Sequence, residues 1–246
     1  MTTTDASELL REVRDGVLHL TLNRPMKRNA LTISLRERLN TAINEVPDDI
    51  GAVVITGTDP AFCAGVDLRE MQELGGIRKR AESPVDAIVR CRVPLIVAVN
   101  GPCWTGGLEI VLAADIAVAS DRAQFGDTHV QFGMISGWGG SARLPLAVGK
   151  QWASRILLSG EPIDAATAER IGLVSEVVPH DALAERAHGL AARIAGAPRT
   201  ARETILGLMR TDGTLVERSL REQEAIAGFT VDSSATFAHF DARKRH

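Results

Sequence analysis

The chain has 246 residues, of which 45% are hydrophobic and 24% charged, so it is long enough for one large core or a core with a small appendage. Its formal net charge is -3, which gives no reason to expect nucleic acid or an anionic membrane as a partner. The longest apolar stretch, residues 108–119, contains two carboxylates and is too short to span a bilayer, and the polar N-terminus lacks the apolar segment of a signal peptide.

Short apolar runs bounded by glycine or proline predict buried strands, at residues 16–22, 51–57, 94–100, 116–119 and 174–178. Helical spacing of apolar residues predicts helices between and after them, at residues 34–46, 68–73, 85–91, 106–114, 139–148, 151–158 and 165–171. Ser34 and Glu37 have the spacing of a capping box at the start of the first helix. This order predicts an α/β fold of repeated strand–strand–helix units.

The last quarter of the chain is helical in pattern, with breaks at Pro198 and Gly213. We therefore expect a core over residues 1–180 and a helical region over residues 181–246. A run of helices after a complete α/β core favours packing on a neighbouring subunit. The sequence thus predicts a homo-oligomer assembled through residues 181–246.

Two glycine loops lie between a predicted strand and a predicted helix. In the first, Gly65 allows a close backbone approach, Asp67 is placed as a helix N-cap, and the N–H of Val66 remains just outside the helix. In the second, Thr105 is placed as an N-cap and Gly106 exposes its N–H at the positive end of a helix. Each loop is a candidate for stabilising negative charge, although small residues needed for packing would explain either one alone.

Two titratable residues stand near these loops. Glu109 lies one turn into the helix after the second loop, within an apolar run where an unpaired carboxylate is costly. His129 lies in a third glycine-rich stretch, residues 126–140, where a structural role is the commoner use of one histidine. Both are candidates for acid–base chemistry.

The cysteines Cys63, Cys91 and Cys103 are odd in number and fit no zinc spacing, so no metal site or disulfide framework is expected. A reducing, cytoplasmic setting follows as the simplest interpretation. Cys63 lies in the first glycine loop, but it has no basic neighbour in sequence, which favours a buried apolar role over a nucleophile.

In order along the chain, these segments resemble the crotonase, or enoyl-CoA hydratase/isomerase, superfamily. The resemblance is carried by NRPMKRNAL (residues 23–31), AFCAGVDL (61–68), VNGPCWTGGLEIVLAADIAVAS (99–120), QFGDTHVQFGMISGWGGSARLPLAVGK (124–150), EPIDAATAERIGLVSEVVP (161–179) and FDARKR (240–245). Any one segment is weakly specific, whereas all of them in order are strongly specific.

The resemblance implies a spiral core of ββα units, a C-terminal helical region, and trimers that often pair into hexamers. It implies an oxyanion hole made by the N–H groups of Val66 and Gly106, which would hold the oxygen of an acyl-coenzyme A thioester. Coenzyme A would be part of the substrate, with no separate cofactor. The positions implied to contact coenzyme A or the acyl group are Lys27, Arg28, Ala30, Ala64, Asp67, Leu68 and Lys244.

One position departs from the family. Hydratases of this family use two glutamates: the first aligns with Glu109, and the second aligns with His129. The expected reaction is hydration of a 2-enoyl-CoA, with Glu109 as base and His129 in place of the second acid. The alternatives are an enoyl-CoA isomerase that uses Glu109 alone and a weakly active acyl-CoA-binding protein.

Overall fold

The computed structural model describes residues 7–75 and 83–230. Its strands are β1 (Leu9–Arg14), β2 (Val17–Leu22), β3 (Ala52–Gly57), β4 (Leu95–Val99), β5 (Cys103–Trp104), β6 (Ile116–Ser120), β7 (Gln124–Gly126), β8 (Ile163–Asp164) and β9 (Glu176–Val178). Its α-helices are α1 (Ile33–Asn44), α2 (Leu68–Glu73), α3 (Pro84–Arg90), α4 (Gly106–Ala113), α5 (Gly140–Ser159), α6 (Ala165–Arg170), α7 (Leu183–Ala195), α8 (Arg199–Met209) and α9 (Leu215–Gly228). Short 3-10 helices at Pro25–Lys27, His129–Phe132 and His180–Ala182 complete the elements.

A six-stranded sheet forms the centre, in the order β1-β2-β3-β4-β6-β9. All its neighbouring strands are parallel except β1, which pairs antiparallel with β2. The predicted strands are confirmed as β2, β3, β4, β6 and β9. The sequence missed β1 because it is an edge strand in which Leu9 alone is buried, so its pattern is that of a polar segment.

The two faces of this sheet bury different residues, as the alternation of side chains along a strand requires. On β3, Val53 and Ile55 belong to the larger core, which α1 and α4 also line. Val54 of the same strand points to the other face, where α7 packs with Leu183 and Ala187. The helix α7 therefore covers the second face of the sheet and belongs to the core.

The chain divides into two compact units, Met1–Ala197 and Pro198–His246. The division follows α7, some way beyond residue 180, because α7 packs on the sheet. The second unit contains α8 and α9, and the predicted breaks at Pro198 and Gly213 lie just before these helices. The assignment of residues 181–246 to oligomerisation stays a prediction.

One local prediction needs correction, and another is confirmed. The first helix begins at Ile33, and its N-cap is Thr32, whose side chain accepts from the N–H of Leu35, so the capping box at Ser34 is wrong. The helices predicted at 139–148 and 151–158 are both present within α5, where the non-helical backbone of Gly149 (φ 76°, ψ 161°) separates them by a kink. No helix in the two described ranges is long and apolar enough to cross a membrane.

Candidate active site

The two glycine loops run side by side. Cys63 and Cys103 form an isolated parallel bridge, and the N–H of Trp104 donates to the carbonyl of Cys63 at 2.9 Å. Gly65 then packs against Thr105, where a Cβ added to the glycine would lie 1.8 Å from Thr105 Oγ1. This register brings together two segments that are far apart in sequence.

Val66 follows Gly65 in this register, and its N–H is unpaired among the described residues. The backbone of Leu31 pairs with the residues on either side: its N–H donates to Gly65 at 2.8 Å, and its carbonyl accepts from Asp67 at 3.1 Å. The N–H of Val66 therefore points away from Leu31, and it meets no acceptor in the described part of the chain.

Gly106 follows Thr105 in the same register and is the first residue of α4, so its N–H has no acceptor within the helix. The N–H of Gly106 meets no other acceptor among residues 7–75 and 83–230. Thr105 occupies the predicted N-cap position, although its side chain makes no capping hydrogen bond. The ring of Trp138 covers Gly106 so closely that a Cβ there would lie 2.7 Å from Cζ3.

A cavity of about 380 Å³ opens beside these loops. Of the predicted site residues, those on its wall are Ala64, Val66, Leu68, Glu109 and His129. Trp104 and Thr105 line it next to Gly106, which is not itself on the wall. The fold thus brings the first glycine loop and both acid–base candidates to one cavity.

Glu109 is 2% exposed, and α4 holds it at the cavity wall. Its Oε1 accepts the backbone N–H of Trp138 at 2.7 Å and of Gly140 at 3.0 Å. Burial raises the pKa of Glu109 by more than these two hydrogen bonds and the nearby His129 lower it. No hydrogen bond from a described residue reaches Oε2, so a carboxylate oxygen with a raised proton affinity is left for a ligand.

His129 is held by Asp127. Nδ1 of His129 lies 2.7 Å from Oδ1 of Asp127, and Oδ2 of Asp127 accepts the hydroxyl of Ser136 at 2.7 Å. Burial alone would lower the pKa of His129, but the hydrogen bond and charge of Asp127, with the charge of Glu109, raise it overall. Nε2 of His129 has no hydrogen-bond partner among the described residues.

Asp127 and Ser136 were missed by the sequence analysis. Burial would raise the pKa of Asp127, but the hydrogen bonds from His129 and Ser136 outweigh it, so this buried carboxylate remains ionised. An aspartate two residues before the candidate histidine was a usable signal. Ser136 gave no such signal in the sequence, because its approach to Asp127 depends on how the chain between the two residues folds.

A model described as enoyl-CoA hydratase/isomerase matches residues 12–236. The chain belongs to the enoyl-CoA hydratase/isomerase family. A probable enoyl-CoA hydratase of Rhizobium meliloti (strain 1021) is 38% identical over 251 residues, which cover 94% of this chain and 98% of the relative. The enoyl-CoA hydratase from Mycobacterium tuberculosis H37Rv superimposes with a TM-score of 0.75 at 41% identity, covering 90% of this chain and 94% of that one. The enoyl-CoA hydratase from Mycobacterium smegmatis gives 0.74 at 36% identity and covers 98% of both chains.

These similarities confirm the predicted crotonase fold. They do not assign roles to individual residues, so the catalytic roles of Glu109 and His129 and the oxyanion role of Val66 and Gly106 stay predictions. The departure at His129 now has a structural context, because a buried carboxylate, Asp127, supports the histidine of this family member.

Of the residues predicted near coenzyme A, Ala64 and Leu68 lie on the cavity wall, and Lys27, Arg28 and Ala30 lie on a neighbouring loop. Lys27 and Arg28 are exposed, and the carbonyl of Arg28 accepts the N–H of Ala64 at 2.9 Å, which joins their loop to the cavity rim. The carbonyl of Ala30 accepts from Arg24 at 2.6 Å. Lys244 lies outside the described residues.

Asp67 and Leu68 differ in role although they are adjacent. Leu68 lines the cavity, whereas Asp67 does not. Asp67 caps α2 by accepting the N–H groups of Arg69 and Glu70, and it forms an ion pair with Arg24 at 2.9 Å. Its predicted N-cap role is confirmed, and its contribution to substrate binding would be indirect.

Cys63, within the first glycine loop, is fully buried. Burial raises the pKa of the Cys63 thiol to about 12. A thiol with so little thiolate is a poor nucleophile. The structure agrees with the apolar packing role favoured by the sequence.

Proposed function

We propose that this protein adds water across the C2–C3 double bond of a trans-2-enoyl-CoA, or removes it in the reverse reaction. The observation that carries the proposal is that Glu109 and a second acid–base group, the Asp127-supported His129, line the same cavity. An isomerase that moves a proton with one base has no need of that second group. The hydratases among the relatives support the same choice.

Glu109 is the proposed base. Two backbone N–H groups fix its Oε1, which leaves Oε2 to accept a proton from a bound water. The water oxygen then forms its bond to C3 of the enoyl group. The raised pKa of Glu109 brings its proton affinity closer to that needed of a base near neutral pH.

His129 is the proposed acid. Asp127 occupies Nδ1, so the imidazolium presents Nε2–H to the cavity and donates that proton to C2. The raised pKa of His129 keeps a larger fraction protonated near neutral pH. Water is consumed as one proton taken by Glu109 and one hydroxyl added to C3. Return of the Glu109 proton to His129 through solvent completes the cycle.

The N–H groups of Val66 and Gly106 are the proposed oxyanion hole. Attack at C3 moves charge onto the thioester oxygen, and these two donors on adjacent loops, which have no acceptor within the described part of the chain, would hold that oxygen. Preorganised N–H donors of this kind are worth about 3–4 kcal/mol each in the transition state. Coenzyme A would bind with its phosphates near Lys27 and Arg28.

The test is turnover of crotonyl-CoA and longer 2-enoyl-CoAs by the purified full chain, with Glu109→Gln and His129→Ala as variants. We expect hydration by the wild type and a large loss in both variants. Turnover that is unchanged in both variants would remove the proposal. Formation of a 2-enoyl product from a 3-enoyl-CoA, without hydration, would instead identify an isomerase.

We also propose a trimer-based homo-oligomer in a reducing, cytoplasmic setting. The second unit supports the assembly, because Val216 and Leu220 share one face of α9 and are 69% and 52% exposed. The free, buried cysteines agree with the setting. Sedimentation of the wild type and of Val216→Glu tests the assembly: a mass that is monomeric in both contradicts it.

A further inference from the structure

A buried cation in the cavity has no anionic partner among residues 7–75 and 83–230. Arg36 on α1 lines the cavity and is 7% exposed, although its guanidinium carries a full charge. An arginine buried to this extent is normally paired with a carboxylate or another anion. The burial of Arg36 without a paired anion in the described part of the chain therefore requires an explanation that packing alone does not supply.

The contacts of Arg36 leave most of its donors unused. Its Nε donates to the carbonyl of Thr32 at 3.2 Å, and its guanidinium lies 5.7 Å from the ring centre of Trp138. Within the described ranges, no acceptor is in hydrogen-bond distance of Nη1 or Nη2. These two nitrogens form the fork that binds a carboxylate with two parallel hydrogen bonds.

Two carboxylates act on Arg36 from a distance, and neither forms an ion pair with it. Glu37 is its exposed neighbour on α1, and Glu70 approaches from α2. Oε2 of Glu70 instead accepts the N–H of Ile33 at 2.9 Å. Glu70 tempers the positive charge in this part of the cavity but does not occupy the guanidinium fork.

The position of Arg36 places it at the acyl end of the site. It stacks on Trp138, and the backbone N–H of Trp138 holds Glu109, the proposed base. The other nearby walls are apolar and include Met71 and Leu74. The exposed Lys27 and Arg28, expected to hold coenzyme A, do not line this cavity.

We propose that Arg36 binds a carboxylate at the far end of the acyl group, so that the preferred substrates are mono-CoA thioesters of 2-enedioic acids. This inference rests on the proposed function, since it assumes that the acyl group enters this cavity. The apolar walls contact the methylene groups, and the guanidinium replaces the water that the carboxylate loses on entry.

The test compares acyl groups of equal length. The kcat/KM of the wild type is measured for the mono-CoA thioester of hex-2-enedioic acid and for trans-2-hexenoyl-CoA, and for the corresponding five-carbon pair. We expect a preference for the acid in at least one pair, of about 10-fold or more. A ratio near one or below one in both pairs would overturn the inference.

Variants of Arg36 assign the preference to this side chain. In Arg36→Met we expect the acid-to-neutral ratio of kcat/KM to fall about 10- to 100-fold. Arg36→Lys keeps the positive charge but lacks the two-pronged guanidinium, so it should lose part of the preference for the acid. Arg38→Met, on the exposed side of the same helix, is the matched control and should keep the wild-type ratio. An unchanged ratio in folded Arg36→Met contradicts the assignment.

Failure of the hydratase proposal can be distinguished from failure of the carboxylate-site inference. If neither member of a pair is hydrated, the hydratase proposal fails, but binding still tests the carboxylate site. Calorimetry with the saturated pair, adipyl mono-CoA and hexanoyl-CoA, then measures the preference without turnover, and equal affinities overturn the inference. The comparison in the wild type also decides the outcome if Arg36→Met does not fold.

Discussion

Nδ1 of His129 lies 2.7 Å from Oδ1 of Asp127, and the same oxygen accepts the backbone N–H of His129 at 3.0 Å. Asp127 is 1% exposed, so it supports the histidine from inside the protein. A carboxylate at Nδ1 fixes the tautomer and the orientation of an imidazole. The position that the family resemblance aligns with the second glutamate thus holds a carboxylate–histidine pair.

Replacing Asp127 with asparagine should lower the pKa of His129. The hydrogen bond and charge of Asp127, together with the charge of Glu109, outweigh the effect of burial on this pKa, and the variant loses the charge at position 127. Because the proposed mechanism needs protonated His129, the falling alkaline limb of the kcat profile should move to lower pH. The profile is measured from pH 5 to 10 in wild type and variant.

Ser136→Ala is the control for that shift. It removes a hydrogen bond to Oδ2 of Asp127 but keeps the negative charge beside His129, so its alkaline limb should move less. If the alkaline limb of the kcat profile has the same midpoint in Asp127→Asn as in the wild type, a group other than His129 is responsible for that limb.

Glu109→Gln should lower kcat by about 10²- to 10⁴-fold, the usual contribution of a general acid–base group. The glutamine oxygen can still accept the N–H groups of Trp138 and Gly140, so the fold and the affinity for a saturated acyl-CoA should change little. Turnover is followed by the ultraviolet absorbance of the enoyl thioester, and affinity by calorimetry. A variant that retains wild-type turnover would show that Glu109 is not the base.

Gly65→Ala should disrupt the first oxyanion loop. Gly65 has a φ of 88°, and an added Cβ would lie 1.8 Å from Thr105 Oγ1, so the loop must move and carry the N–H of Val66 with it. We expect the free energy of unfolding to fall by about 1–3 kcal/mol and kcat to fall about 10²-fold. Chemical denaturation and steady-state assays measure the two effects.

Gly189→Ala is the matched control for this substitution. Gly189 lies within α7 with open space around its Cα, so alanine should stabilise the helix by about 0.5–1 kcal/mol and leave activity unchanged. Equal losses in both variants would indicate that the effect is not specific to the loop.

Lys27→Ala should raise KM about 3- to 10-fold with little change in kcat, as expected for an exposed cation that contacts a phosphate. The same assay with the dephospho-CoA thioester is the control. If Lys27 contacts the 3′-phosphate, the substitution should have little further effect on that substrate. An equal rise in KM for both substrates would place Lys27 away from this phosphate.

Much of the fold was predictable because its signals are local. Continuous Val and Ile runs identified β3 and β4, since strands covered on both faces contain few polar residues. Helix starts after glycine loops identified α2 and α4. The candidate residues Glu109 and His129 were also visible, because a carboxylate in an apolar run and a histidine in a glycine-rich stretch are conspicuous in any sequence.

Other features depended on contacts between distant residues. Arg36 has the pattern of an ordinary helix residue, and only the packing of α1 against Trp138 places its guanidinium in the cavity. Thr32 rather than Ser34 caps α1, a choice set by where the preceding chain enters the helix. The edge strand β1 was missed because its pairing with β2 leaves most of its side chains exposed.

By itself, the sequence determined the order of strands, loops and helices, and through the resemblance it proposed that Val66 and Gly106 act together. Tertiary structure decided what surrounds the reacting groups. Trp138 and Gly140 hold Glu109, and Asp127 supports His129, through burial and hydrogen bonds that no local pattern encodes. Local patterns report backbone preference and periodicity, whereas the protonation and orientation of a side chain depend on every residue that the fold brings to it.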